Sequence, residues 1–335
     1  MWSKTVTTSE MDVSQELSGH AAKPMKRFRS KDYILPAFIA LLATVTGIVE
    51  PRFWTAENLL NLSRQTAPLL ILSVGQALAV ITGGLDLSLA ANLALSGVYG
   101  VLVMNQFGMF AGLLAMLLTG AVVGLVNGLF VTRFRASPLI VTLGMLSVCQ
   151  GLALMASSGL PIYDMPDSFI ELFGYGAVAG VPVPTLVAVV TLLLGILLLR
   201  FTVAGRYFYA IGSSAKAAYA SGIDVRFYTV LVYVMSGLTA GMAAIVLTAW
   251  VNSAQPMAGA GLELHSVAAV VLGGIALTGG SGSMLHALYG AVILSMLSNS
   301  LNLMGVSSFM QTLMTGLVIL TAVVLDKTRR SQRGE

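Results

Sequence analysis

Long apolar runs dominate the chain, and short polar stretches separate them. A helix that crosses a bilayer needs about 20 predominantly apolar residues. By that measure the pattern predicts about ten spans, at 33–49, 67–83, 88–104, 109–131, 138–157, 183–199, 228–250, 262–279, 284–303 and 308–325. The expected fold class is all-α, a polytopic membrane protein. Residues 52–65 read as an amphipathic segment at the interface. The longest polar stretch between spans is 202–227, which holds Arg206, Lys216 and Arg226. Ser213 or Ser214 can cap a helix there, the alanines of 215–220 favour it, and Gly222 is a natural stop. A structured helix in this loop suggests a docking handle for a partner. The plainer alternative is an interfacial tie between two spans.

Two further patterns lie inside the apolar runs. Gly120, Gly124 and Gly128 form one face at four-residue spacing, and Gly237 and Gly241 form another. Such faces let helix backbones approach closely in lipid, either within one chain or between two copies. GLDLS (84–88) and GLELH (261–265) each put a glycine and an acid at the mouth of a span. On the ten-span count the first lies at the inner end of a span pair and the second at the outer end, which suits an inverted-topology repeat.

Composition agrees with a membrane protein: 56% of residues are hydrophobic, 10% are charged, and mean hydropathy is +0.87. Soluble domains carry about 25% charged residues. Charge then orients the chain. Residues 1–31 read as a disordered cytoplasmic tail with basic residues near the membrane, 32–327 as the transmembrane domain, and 328–335 as a cytoplasmic C-terminal tail. With both termini inside, all of the 18 lysines and arginines except Arg52 and Arg64 fall on the inner side. No apolar stretch with a cleavage site opens the chain, so a secretory signal is not expected.

Few residues carry candidate chemistry. Asp86, in TGGLDLS (82–88), is an acid at membrane depth and so a functional-site candidate. It either meets a polar ligand beside a glycine-broken helix or caps the next helix. Ser88 and Asn92 follow it, and Glu263, Asn299 and Asn302 are the other candidates for a translocation pathway. Asn127 joins the asparagines that either line a pathway or bond between helices. His265 stands beside Glu263, and His286 follows the expected tight turn at 279–282. The single cysteine, Cys149, reads as a packing residue. There is no P-loop, no H-E-x-x-H and no G-x-S-x-G, and no metal or cofactor is expected. With so few intramembrane acids, the energy for any transport is expected from another subunit.

Five blocks together carry a family resemblance: TGGLDLS (82–88) with ALSG (94–97), AIGSSAKAAYASGIDV (210–225), GLELHSVAAVVLGG (261–274), NSLNLMG (299–305) and VVLDKTRR (323–330). From about residue 35 to 330 the chain resembles the permease subunit of ribose-type ABC sugar importers. The resemblance implies a homodimeric pore in the inner membrane, a cytoplasmic ATPase and a periplasmic sugar-binding protein as partners, and no covalent chemistry by the chain itself. It implies that 202–227 is the coupling loop, with Ala217, Ala218, Ser221 and Gly222 at the ATPase contact. The chain departs from the family pattern at Ser214, where asparagine is usual, at His265, where aspartate is usual, and after Ser88, where Leu89, Ala90 and Ala91 follow and the usual glycine is missing. A branched-chain amino-acid permease, an ion-coupled secondary carrier and a membrane scaffold are the competing readings.

Overall fold

A computed structural model describes residues 33–307, 309–314 and 316–317. It consists of helices α1 (Ile34–Val49), α2 (Ala56–Ile81), α3 (Leu89–Phe107), α4 (Met109–Arg133), α5 (Pro138–Ala156), α6 (Val183–Phe201), α7 (Val203–Ser213), α8 (Ala215–Ala220), α9 (Val225–Val251), α10 (Leu262–Gly273) and α11 (Met284–Leu303). The one small hairpin, Ala177–Val178 with Val181–Pro182, lies between α5 and α6. Seven of these helices are long and apolar enough to cross a membrane, namely α2 to α6, α9 and α11. The expected tails 1–31 and 328–335 lie outside the described residues. So does most of the expected span 308–325, of which 309–314 are helical.

Helix α2 is the axis of the fold. Every residue from Ala67 to Ile81 is buried. It packs against α9, α11, α6 and α10, while α3 and α4 close over the far side of α9. Its N-cap Thr55 accepts a hydrogen bond from the Asn58 amide, and the buried Pro68 falls well inside the helix. The expected interfacial segment 52–65 is not separate. A short 3-10 turn, Pro51–Trp54, leads straight into α2. The polar side chains there belong to the first turns of one continuous helix.

The expected span 262–279 is shorter than predicted. Helix α10 ends at Gly273, because Gly274 takes φ +104°. Twelve residues rise about 18 Å, well short of the ~30 Å hydrocarbon core. Irregular backbone follows as far as Ser283 and packs on protein, as it must wherever lipid would leave its polar groups unsatisfied. Gly280 N donates to Ile81 O at 2.8 Å, and Tyr209 Oη donates to Gly282 O at 2.9 Å.

The two glycine faces meet each other inside the chain. A Cβ on Gly120 would collide with Gly237 O, on Gly124 with Tyr233 O, and on Gly128 with Val230. Helices α4 and α9 therefore approach backbone to backbone.

Candidate functional site

Three polar regions interrupt the apolar packing. The first is buried at the start of α3. Asp86 Oδ1 accepts from Ser88 N (3.1 Å) and Ser88 Oγ (2.6 Å), and Oδ2 accepts from Ser236 Oγ of α9 (2.8 Å). Asn127 Nδ2 of α4 donates to Ser88 Oγ at 2.8 Å. Asp86, Ser88, Asn127 and Ser236 are all fully or almost fully buried. Three donors on one carboxylate match its acceptor-only chemistry. The cluster ties α3, α4 and α9 together, and Asp86 and Ser88 line neither cleft described below. Asn92, one turn on, donates Nδ2 to Gly120 O at 3.2 Å, again between helices.

The second region is a cleft of about 490 Å³ at the ends of α2, α9 and α11. Asn58, Asn61 and Gln65 supply one wall at helical spacing, Asn299 and Asn302 the other, and Trp250 closes one side. Asn58 and Asn299 exchange two hydrogen bonds, Asn58 Nδ2 to Asn299 Oδ1 at 3.2 Å and Asn299 Nδ2 to Asn58 Oδ1 at 3.0 Å. Both are buried, so this pair sets the spacing of the walls. Asn61 Oδ1 accepts from Arg64 Nη1 at 3.3 Å. Arg52 stands at the rim and is already paired: its Nε and Nη2 reach the two Glu50 carboxylate oxygens at 2.8 and 3.0 Å. These hydrogen bonds hold the Glu50 carboxyl below its ordinary value.

A much smaller cavity of about 60 Å³ lies between α3, α5 and the start of α10, lined by Ala90, Gln150, Met257 and Glu263 among others. Both Glu263 oxygens accept from Gly261 N, at 3.2 and 3.0 Å, so this acid closes its own turn. Of the predicted pathway residues, the structure thus puts Asn299 and Asn302 in the large cleft, Glu263 in the small one, and Asp86, Ser88 and Asn92 in interhelical bonding. Sequence reasoning missed Asn58, Asn61, Gln65 and Trp250. The i, i+3, i+7 spacing of the first three was the available signal.

The third region is the polar stretch 202–227. It holds two helices where one was expected, and three caps define them. Thr202 accepts from Gly205 N (3.1 Å) to start α7, Ser214 accepts from Ala217 N (3.3 Å) to start α8, and Asp224 accepts from Phe227 N (3.0 Å) to start α9. Gly222, at φ +84°, ends α8. The signal for α7 was Thr202 followed by Phe208 and Ile211, which are both buried. Ala217, Ser221 and Gly222 are exposed beside Lys216 and Tyr219, whereas Ala218 is buried and faces the chain. A Cβ on Gly212 would strike Ile81 O and Gly280 N, so the end of α7 sits directly on the end of α2 and on the loop after α10.

Comparison with known proteins gives this arrangement its context. Residues 58–323 match the family described as branched-chain amino acid transport system / permease component. The ribose import permease protein RbsC of Escherichia coli K12 is 36% identical over 313 residues, covering 91% of this chain and 98% of the relative. The protein of the same name from Bacillus subtilis 168 is 41% identical, covering 86% and 90%. The D-allose transport system permease protein AlsC of E. coli K12 is 32% identical, covering 86% and 89%. No solved structure gives a significant match.

Proposed function

The chain belongs to the permease components of ABC importers, in the ribose-type branch, and on that premise we propose that it carries a monosaccharide across the bacterial inner membrane. The observation that carries this reading is 32–41% identity, over most of both chains, to permeases named for ribose and D-allose. The branched-chain amino-acid alternative is not favoured, because these relatives are named for sugars. The chain is a transport subunit. ATP hydrolysis belongs to an ATPase partner, and a sugar-binding protein delivers the solute.

Within that importer, we assign 202–227 to the ATPase. Its support is physical: two capped helices stand out from the spans, carry Lys216 and the 76% exposed Tyr219, and rest on the α2 terminus through Gly212. A push on α8 would reach α2 through backbone contacts without slack from side chains. Ala217, Ser221 and Gly222 form the contact, and Ala218 anchors the helix from behind. The basic residues of 200–226, Arg133 and Arg135 support a cytoplasmic placement of this side, and the same reading puts both termini there. The route itself is completed by a second copy of the chain in the surrounding lipid. Asn299, Asn302 and Glu263 border its clefts, while Asp86, Ser88 and Asn92 hold the helices that shape it.

Affinity purification in mild detergent tests the reading. A stoichiometric ATPase should accompany the chain and be lost on Gly222→Arg. Recovery of the chain alone, with solute flux in vesicles that lack ATP, would sink it.

A further inference from the structure

The cleft between α2, α9 and α11 has the size and lining of a small-molecule site. Its wall residues on α2 run from Asn58 to Gln65, seven helical steps, or about 10 Å of helix. Its volume, about 490 Å³, falls in the ~300–1,000 Å³ range of small-molecule pockets. On the orientation proposed above, it opens on the face away from the ATPase.

The lining selects for chemistry. Amides dominate it, and each amide side chain offers both donors and an acceptor. Asn58 and Asn299 spend theirs largely on one another and fix the walls. Asn302 and Gln65 make no side-chain hydrogen bond among the described residues. Asn61 keeps its Nδ2 group, since only its oxygen is taken by Arg64. Trp250 adds an aromatic surface whose apolar face can cover C–H groups. The lining carries no acid, and its one cation, Arg52, is neutralised by Glu50 at the rim. Apart from the Arg52–Glu50 pair, already closed on itself at the rim, the lining offers a zwitterion no pair of opposite charges. A hydroxyl, which both donates and accepts, matches every free group.

We propose that this cleft is a receiving subsite for a neutral polyhydroxylated ligand, occupied on the outer side before the solute enters the route through the membrane. The proposal rests on the sugar-permease reading and adds to it where the solute first meets this chain.

The test uses the full-length chain in nanodiscs, titrated with D-ribose and followed by tryptophan emission. The expected result is a saturable change that disappears in Trp250→Phe. In Asn302→Ala and in Gln65→Ala the midpoint should move to about tenfold higher sugar. L-Leucine should give no change. Neither replaced amide holds the fold together, so both variants should fold as the parent does. A titration identical in Asn302→Ala, Gln65→Ala and the parent would overturn the subsite, as would a response to leucine at the same concentrations. Uptake of labelled D-ribose by the importer assembled with its ATPase and binding protein separates the two readings. Uptake with a flat titration removes only the subsite, whereas no uptake of any sugar removes the functional reading and the subsite with it.

Discussion

Gly120 of α4 and Gly237 of α9 face each other so closely that a Cβ on either would strike the other's carbonyl oxygen. In lipid, where apolar side chains gain little by exchanging lipid contacts for one another, such close packing is a main source of helix association. Gly120→Val and Gly237→Val should each destabilise the chain by at least ~1–3 kcal/mol, the usual cost of overpacking. Thermal unfolding in detergent measures it. Gly144→Ala on α5, where nothing lies within 4 Å of the added methyl, should not lower the midpoint.

Asp86 accepts hydrogen bonds from Ser88 and Ser236 in a buried cluster, so its substitution should weaken the fold before it affects transport chemistry. Asp86→Ala leaves buried hydroxyls without their acceptor, at about 1–3 kcal/mol each. Asp86→Asn should be milder. ATP-driven uptake, normalised to folded protein, should survive in Asp86→Asn. Loss of uptake with unchanged unfolding would instead mark Asp86 as part of an ion-coupling path.

These two sites show what could be read from the chain. The apolar runs gave away the helices, because lipid demands length and apolarity in a single segment. The two glycine faces were visible too, but whether they meet in one chain or between two depends on tertiary contacts. Asp86 was visible as an acid at membrane depth. Ser88, its near donor, stands two residues on, but Ser236, which donates to Asp86 from 150 residues away, and Asn127, which donates to Ser88 from 39 residues away, are connected by no local pattern. Helix α2 was expected to begin at residue 67 because its first turns are polar. Those turns face the cleft and bond to Asn299, so polarity marked the cleft wall where it was read as an interface. Helix α10 looked longer than it is because the apolar residues after Gly274 continue the pattern in irregular backbone.

Ser214 caps α8, a helix of only six residues that leans on its caps for order. Ser214→Ala should cost about 1 kcal/mol locally. Hydrogen exchange at 215–221 should quicken while α9 stays protected, and ATPase affinity should fall with it. Ser214→Asn, which restores a capping acceptor, should recover both.

Gly212 sits where a side chain would press on Ile81 O and Gly280 N. Gly212→Val should force α7 away from the α2 terminus. The importer should still bind its ATPase and hydrolyse ATP, with much less sugar moved per ATP. Equal loss of hydrolysis and uptake would mean that the junction serves folding alone.

On the reading proposed, this chain passes a sugar only when a partner hydrolyses ATP. Proteoliposomes holding the chain with its ATPase, supplied with binding protein and labelled D-ribose, test it most directly. Uptake should need both ATP and binding protein and should stop in Gly222→Arg. Uptake that continues without ATP, follows an imposed ion gradient and is abolished by Asp86→Asn would contradict it.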